Sequence, residues 1–180
     1  TYGIDFNISH YKNEVTDLIS DFQSGSSFRT GSFTRTEVGQ PISSFYGRQV
    51  IGIFNNVDEV RNSPNQGWDL NKPEEVEGYV GRFKYKDVDG DGTVNDTDRT
   101  YIGSPHPDFT YGLNLMSAFK GFDISMFFTG SQGNDIYNYE KIYTDFPSFF
   151  NGNRSTRVLN SWTPTNTNTD LPALSQNITN

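Results

Sequence analysis

The stretch Asp87-Val-Asp-Gly-Asp-Gly-Thr-Val-Asn-Asp-Thr-Asp98 carries the densest chemistry in the 180-residue sequence. Counted as a twelve-residue EF-hand-like calcium loop, it sets Asp87, Asp89 and Asp91 at positions 1, 3 and 5. Gly92 falls at position 6, where the backbone must turn sharply, with Thr93 at 7, Asn95 at 9 and Asp98 at 12. Hard carboxylate and carbonyl oxygens at alternating positions wrap one cation, so these six residues are the candidate ligands of a Ca2+ ion. The loop holds five acids and no Lys or Arg, and charges packed this tightly repel without an ion between them. Val94 at position 8 is placed to pin the loop to a core. The closing Asp98 is shorter than the usual Glu, which reduces its reach. The competing reading is an Asp/Gly-rich surface turn with no ion. A bound Ca2+ would serve as a structural clip rather than as a switch or a catalytic metal.

No constellation of comparable specificity exists elsewhere. The two histidines, His10 and His106, have no ligand-spaced partners, which argues against a zinc site or a Ser-His-Asp triad. The carboxylates cluster in one loop whose spacing suits a metal better than a glycosidase pair. No cysteine is present, which excludes disulfides, thiolate metal sites and cysteine nucleophiles. No catalytic residue is assigned and no enzyme is expected. An aromatic run, Tyr137, Tyr139, Tyr143, Phe146, Phe149 and Phe150, has two readings: loop packing or lid contact, and stacking against a sugar or peptide. Of these, Tyr137, Tyr139, Tyr143, Phe149 and Phe150 are the candidate ligand or lid contacts. Trp68 and Trp162 can serve either purpose.

The elements that must position these residues are β in character. Residues 82–86, ahead of the aspartate loop, alternate like a strand rather than forming the entering helix of a paired calcium hand. Alternation is clearest in three stretches. Tyr2, Ile4, Phe6 and Ile8 share one face of residues 1–10; Phe109, Tyr111, Leu113 and Leu115 share one face of 109–115; Phe122, Ile124, Met126 and Phe128 share one face of 122–130. Each is near the length that a tilted strand needs to cross a bilayer. The second and third are joined around Phe119-Lys-Gly121, a tight hairpin signal, whereas long polar segments follow the first and the third. Short turns at one end and long loops at the other are the habit of outer-membrane barrels. Strands of a soluble sheet with one face on a core show the same alternation. Weaker strand patterns occupy 28–38 and 45–54, residues 56–75 read as turns, 134–143 as a short helix, and the Thr/Asn-rich tail from Asn160 shows little pattern.

Composition narrows the class further. Only 33% of residues are apolar while 15% are aromatic, a balance foreign to helical bundles and to fully disordered chains. The net charge of −8 makes nucleic acid an unsuitable partner, since phosphate binding needs basic patches. No apolar run reaches the roughly 18 residues of a transmembrane helix. The first residues lack the basic start and apolar stretch of a signal peptide.

At the level of motifs the chain resembles a known family. Gly81-Arg-Phe-Lys-Tyr-Lys-Asp-Val-Asp-Gly-Asp-Gly-Thr-Val-Asn-Asp-Thr-Asp-Arg99 is followed by Ile102-Gly-Ser-Pro-His-Pro-Asp-Phe109 and Thr110-Tyr-Gly-Leu-Asn-Leu115. Lys120-Gly-Phe-Asp-Ile-Ser125, Phe128-Thr-Gly-Ser-Gln-Gly-Asn-Asp-Ile-Tyr137 and Leu159-Asn-Ser-Trp-Thr-Pro-Thr-Asn-Thr-Asn168 come next. Together with Val38-Gly-Gln-Pro-Ile-Ser-Ser-Phe-Tyr-Gly47 and Gly52-Ile-Phe54, these resemble, in order, the C-terminal third of SusC/RagA-type TonB-linked outer-membrane proteins.

That resemblance implies an all-β fold: part of a large antiparallel transmembrane β-barrel of roughly 22 strands with a plugged lumen. The family imports glycans or peptides with a SusD-like surface lipoprotein, and the plug, the TonB box and the final strands are not found in these 180 residues. The expectation is therefore a fragment whose partners are the remaining barrel and plug, the SusD-like lipoprotein, TonB through the missing N-terminal part, the substrate and outer-membrane lipid. It further implies membrane strands near 1–10, 109–118 and 122–130, with extracellular segments 12–107 and 131–180, in the outer membrane of a Gram-negative bacterium. The alternative is a soluble secreted β-module whose calcium loop serves carbohydrate binding or adhesion.

Overall fold

The computed structural model describes residues 1–27, 31–146 and 152–174. Strands dominate, with three short helices, in the order β1 (Tyr2–Ser9), β2 (Phe22–Ser27), β3 (Gly31–Glu37), β4 (Ser44–Arg48), β5 (Val50–Ile53), α1 (Val57–Arg61), α2 (Pro73–Glu77), β6 (Phe83–Tyr85), β7 (Arg99–Gly103), β8 (Phe109–Phe119), β9 (Phe122–Gln132) and α3 (Glu140–Thr144). The class is all-β. No helix among the described residues is long and apolar enough to cross a membrane, which says nothing about crossing by strands. The chain divides into two compact units, Thr1–Gly47 with Tyr101–Tyr137, and Arg48–Thr100 with Asn138–Asn180.

In the first unit the three alternating stretches become one antiparallel sheet in the order β1-β8-β9. Phe6 lies opposite Leu113 and Leu113 opposite Phe128; Ile4, Leu115 and Met126 form the next row. Because side chains alternate, this register gathers every apolar set on one face. Asp5, Asn7, Asn114, Asp123 and Ser125 fall on the other, together with Met116 and Phe127. The apolar face is exposed among the described residues of this unit: Ile4 is 66% exposed and Ile124 57%. Lys120 and Gly121 close the β8–β9 hairpin with left-handed backbone at both positions, φ +47° and +84°, the two-residue turn whose twist matches flanking strands.

A second sheet in this unit runs β2-β3-β4-β7. Its side chains interlock around Arg35, whose guanidinium lies 4.2 Å from the Phe22 ring centre and 4.7 Å from that of Tyr46. Arg35 Nε is 3.0 Å from Glu37, and the Tyr101 hydroxyl donates to Glu37 at 2.7 Å. Burial, reinforced by that carboxylate, pushes the Tyr101 phenol up to about 12.

The second unit has its own core of Phe54, Val60, Trp68 and Val76, with Val57, Tyr79 and Val80 packed against it. Residues 56–75, read from sequence as turns, contain α1 and lead into α2, which corrects that expectation. The helices form because Asn56 caps α1, its side chain accepting the Glu59 N–H at 2.8 Å. Pro73 opens α2 with Glu74 and Glu75 in its first turn. Each presents a single buried valine to the core. Strands β5 and β6 pair beside them. The 45–54 pattern, read as one stretch, is two strands in different sheets, and the helix expected over 134–143 is shorter and later, at Glu140–Thr144.

The tail from Asn160 is also more structured than its composition indicated. Trp162 and Leu171 are buried and joined by a backbone bond of 2.9 Å from the Trp162 N–H. The Trp162 indole donates to Asn55 Oδ1 at 2.9 Å, and the Ala173 N–H donates to the Gly81 carbonyl at 2.8 Å. Gly81 has φ +84°, and a Cβ there would lie 2.6 Å from the Trp162 ring and 2.7 Å from the Ala173 side chain. Glycine is thus required twice, for conformation and for space. Gly81→Ala is expected to cost about 2–4 kcal/mol and to speed tryptic cleavage after Arg157. Gly39→Ala, at the same φ with open space around it, should leave that cleavage rate near wild type, and equal rates for both variants would refute the docking role.

Candidate metal centre and aromatic surface

Strand β6 delivers the chain into the aspartate loop, and a 3-10 turn, Asp96–Asp98, ends it. Side-chain carboxylates organise the backbone between them. Asp87 accepts the N–H of Gly90 at 2.6 Å and of Gly92 at 2.9 Å, one on each oxygen. Asp89 accepts the Asp91 N–H at 3.2 Å and Asp91 the Thr93 N–H at 2.7 Å. These Asx turns fold the chain around its own acids. Gly90 and Gly92 supply φ of +78° and +85°. Asp87, Asp89 and Asp91 each bring one carboxylate oxygen to within 4.8 Å of the others.

The remaining candidate ligands sit differently. Asp98 is fully buried, with one oxygen accepting the Val88 N–H and the other the Asn95 N–H, both at 2.7 Å. The Asn95 and Val88 N–H groups hold its carboxyl below the usual aspartate range against the opposing effect of burial. Asn95 caps the 3-10 turn, its side-chain oxygen accepting the Thr97 N–H at 2.8 Å. Asn95 and Asp98 thus form a reciprocal capping box. The structure therefore brings together three of the six candidates as a cluster and gives Asp98 and Asn95 backbone-holding roles. The donor set of hard oxygens, with its turn glycines in left-handed backbone, fits a Ca2+ ion.

Two supporting residues escaped the sequence reading. Asn65 donates its N–H to the Gly92 carbonyl at 2.9 Å and accepts the Val94 N–H at 2.7 Å, while its side-chain oxygen accepts from Gly67 at 2.7 Å and Trp68 at 3.1 Å. It thereby ties the loop to the buried Trp68, and Val94 is itself buried. Arg48 pairs with Asp96 at 3.1 Å and donates to the Asn95 carbonyl at 3.2 Å. The contacts of Asn65 and Arg48 to the loop bridge 27 to 48 positions along the chain, so local spacing holds no trace of them.

Of the aromatic candidates, Tyr137 in the first unit stacks on Phe33, ring centres 4.7 Å apart and 12° from parallel. Tyr139 and Tyr143, in the second unit, meet edge to face at 5.3 Å with their hydroxyls bonded at 2.9 Å. All three are half-buried or partly exposed. Phe149 and Phe150 lie outside the described residues. Trp68 and Trp162 are core residues, at 4% and 7% exposure.

No family model matches the chain. Curated proteins that it resembles include TonB-dependent receptor P3 of Formosa agariphila, 33% identical over 178 residues. TonB-dependent receptors P26 and P39 of the same organism are 31% and 28% identical over 172 and 171 residues. These alignments cover 96%, 92% and 79% of the chain, yet it spans only 17%, 16% and 16% of the relatives' own length. The homologues found for this chain are therefore TonB-dependent receptors, and it aligns with one segment of each.

Proposed function

We propose that the chain forms part of the wall and of the extracellular face of a TonB-dependent importer in the outer membrane of a Gram-negative bacterium. The observation that carries this reading is the β1-β8-β9 sheet: one face apolar, uncharged and exposed, the other carrying the sheet's charged and amide side chains alongside Met116 and Phe127, in a chain homologous to TonB-dependent receptors. The eleven residues of β8 and of β9 extend about 35 Å. At the tilt of outer-membrane strands, about 40°, that spans roughly the 25 Å apolar band of a barrel. The apolar face meets lipid and the polar face meets the lumen. The two-residue turn belongs on the periplasmic side, and segments 12–107 and 131–180 belong outside the cell.

The finer reading is a SusC/RagA-type transporter of roughly 22 strands, importing glycans or peptides with a SusD-like lipoprotein as lid. The rest of the barrel pairs with β1 and β9; the plug and the contact with TonB belong to polypeptide beyond this segment. The work done is binding and gating, with no covalent step. Tyr137, Tyr139, Tyr143, Phe149 and Phe150 are proposed to contact ligand or lid. Asp87, Asp89 and Asp91, with the Thr93 carbonyl, Asn95 and Asp98, are proposed to hold Ca2+. The ion would supply charge neutralisation and stiffness, and a stiff loop loses less entropy when a lid docks on it. Extracellular loops of this kind hold Ca2+ at millimolar levels.

Leu113→Arg and Ile124→Arg should each impair membrane assembly of the receptor by about 2–4 kcal/mol where the position lies near mid-bilayer. Folding titrations into vesicles measure this, and normal assembly of both variants would end the lipid-facing assignment. Asp87→Ala or Asp91→Ala should accelerate proteolysis of the 48–100 segment while leaving barrel assembly unchanged. A chelator should reproduce that effect in wild type and add nothing to the variants; identical digestion throughout would refute the Ca2+ role.

A further inference from the structure

The apolar face of the β1-β8-β9 sheet ends, at the hairpin, in a side chain that its conformation does not favour. Position 120 has left-handed backbone, φ +47°, where Asn or Gly is the cheaper occupant, yet the residue is lysine. Its Nζ lies 5.4 Å from the centre of the Phe119 ring. Phe119 stands directly opposite Phe122, and both rings project on the apolar face, 69% and 77% exposed. The charged residues of the three strands, Asp5 and Asp123, lie on the opposite face by register. Among the described residues no carboxylate forms an ion pair with Lys120.

We propose that Lys120, framed by Phe119 and Phe122, binds the phosphate of an anionic phospholipid in the membrane leaflet on the periplasmic side; this rests on the barrel reading above. Aromatic rings settle at headgroup depth, between the apolar acyl region and water. A lysine beside them reaches outward along its apolar stem and delivers its ammonium to the phosphate layer. There a cation gains from the negative surface potential of anionic lipid. The hairpin is thus more than a connection: it fixes the depth at which this edge of the sheet stops.

The test uses the full-length receptor in vesicles of phosphatidylcholine with or without phosphatidylglycerol, with lipid retention read by native mass spectrometry. A heat-modifiable compact band on gels reports barrel assembly in parallel. Lys120→Gln is expected to lower the preference for phosphatidylglycerol about five-fold with the compact band intact, and Lys120→Arg should keep the preference. Equal preference in wild type and Lys120→Gln, with the barrel assembled, overturns the lipid site. Reduced uptake with unchanged lipid retention would assign Lys120 to a periplasmic protein contact and overturn it equally. Absence of the compact band in wild type would instead refute the barrel reading, so the two failures are separable.

Discussion

An apolar face that nothing described in its own unit covers constrains everything else in the first unit. Tyr2, Ile4, Phe6 and Ile8 on β1 stand in register with apolar rows on β8 and β9. Left in water, that surface forfeits roughly 25 cal/mol for every Å2 it fails to bury. A soluble protein would place a helix or second sheet over it; among the described residues none lies there. In the proposed barrel, lipid would resolve the deficit on the face but not at the edges, since strand N–H and C=O groups find no partners in hydrocarbon. The sheet of the proposed barrel would need neighbouring strands on both sides, and the chain spans only about a sixth of its relatives' length.

The second unit follows a different logic. Its polar, turn-rich sequence buries few residues, and stability is spread over a small aromatic and valine core, a docked tail and a loop held by its own carboxylates. Asn65 joins two of these, bonding the aspartate loop on one side and Trp68 on the other. Arg157 does the same for the tail, pairing at 2.7 Å with the buried Asp145 and with Asp170. Ordering a long excursion costs conformational entropy at every residue, and cross-links between distant positions limit how far the chain opens. In the proposed importer such a unit offers a preshaped surface to a lid or substrate.

Legibility followed the range of the interaction. The three strands of the apolar sheet stood out because alternation is a local, period-two signal repeated over many residues. The helices α1 and α2 were harder to see, although Asn56 with Glu59 and Pro73 with Glu74 are start signals; each helix spans only five residues, too few for periodicity to register. The tail was opaque because its meaning lies in Trp162 meeting Asn55 and Ala173 meeting Gly81, contacts invisible to composition. The aspartate loop divides the same way. Spacing named the acids, while the arrangement of backbone N–H groups assigned Asp98 to holding the loop closed.

From residue order alone came the strand pattern, the hairpin at Lys120 and Gly121 and the oxygen-rich loop, each written within a dozen neighbouring positions, and the resemblance to a receptor family, which rests on short motifs in their order along the chain. Register between β1 and β8, separated by about a hundred residues, came only with the tertiary structure, as did the placement of the three alternating apolar sets on one exposed face. Pairing across that distance depends on which hydrogen bonds and side-chain rows fit together simultaneously. That is a property of the assembled chain, and no local window of sequence contains it.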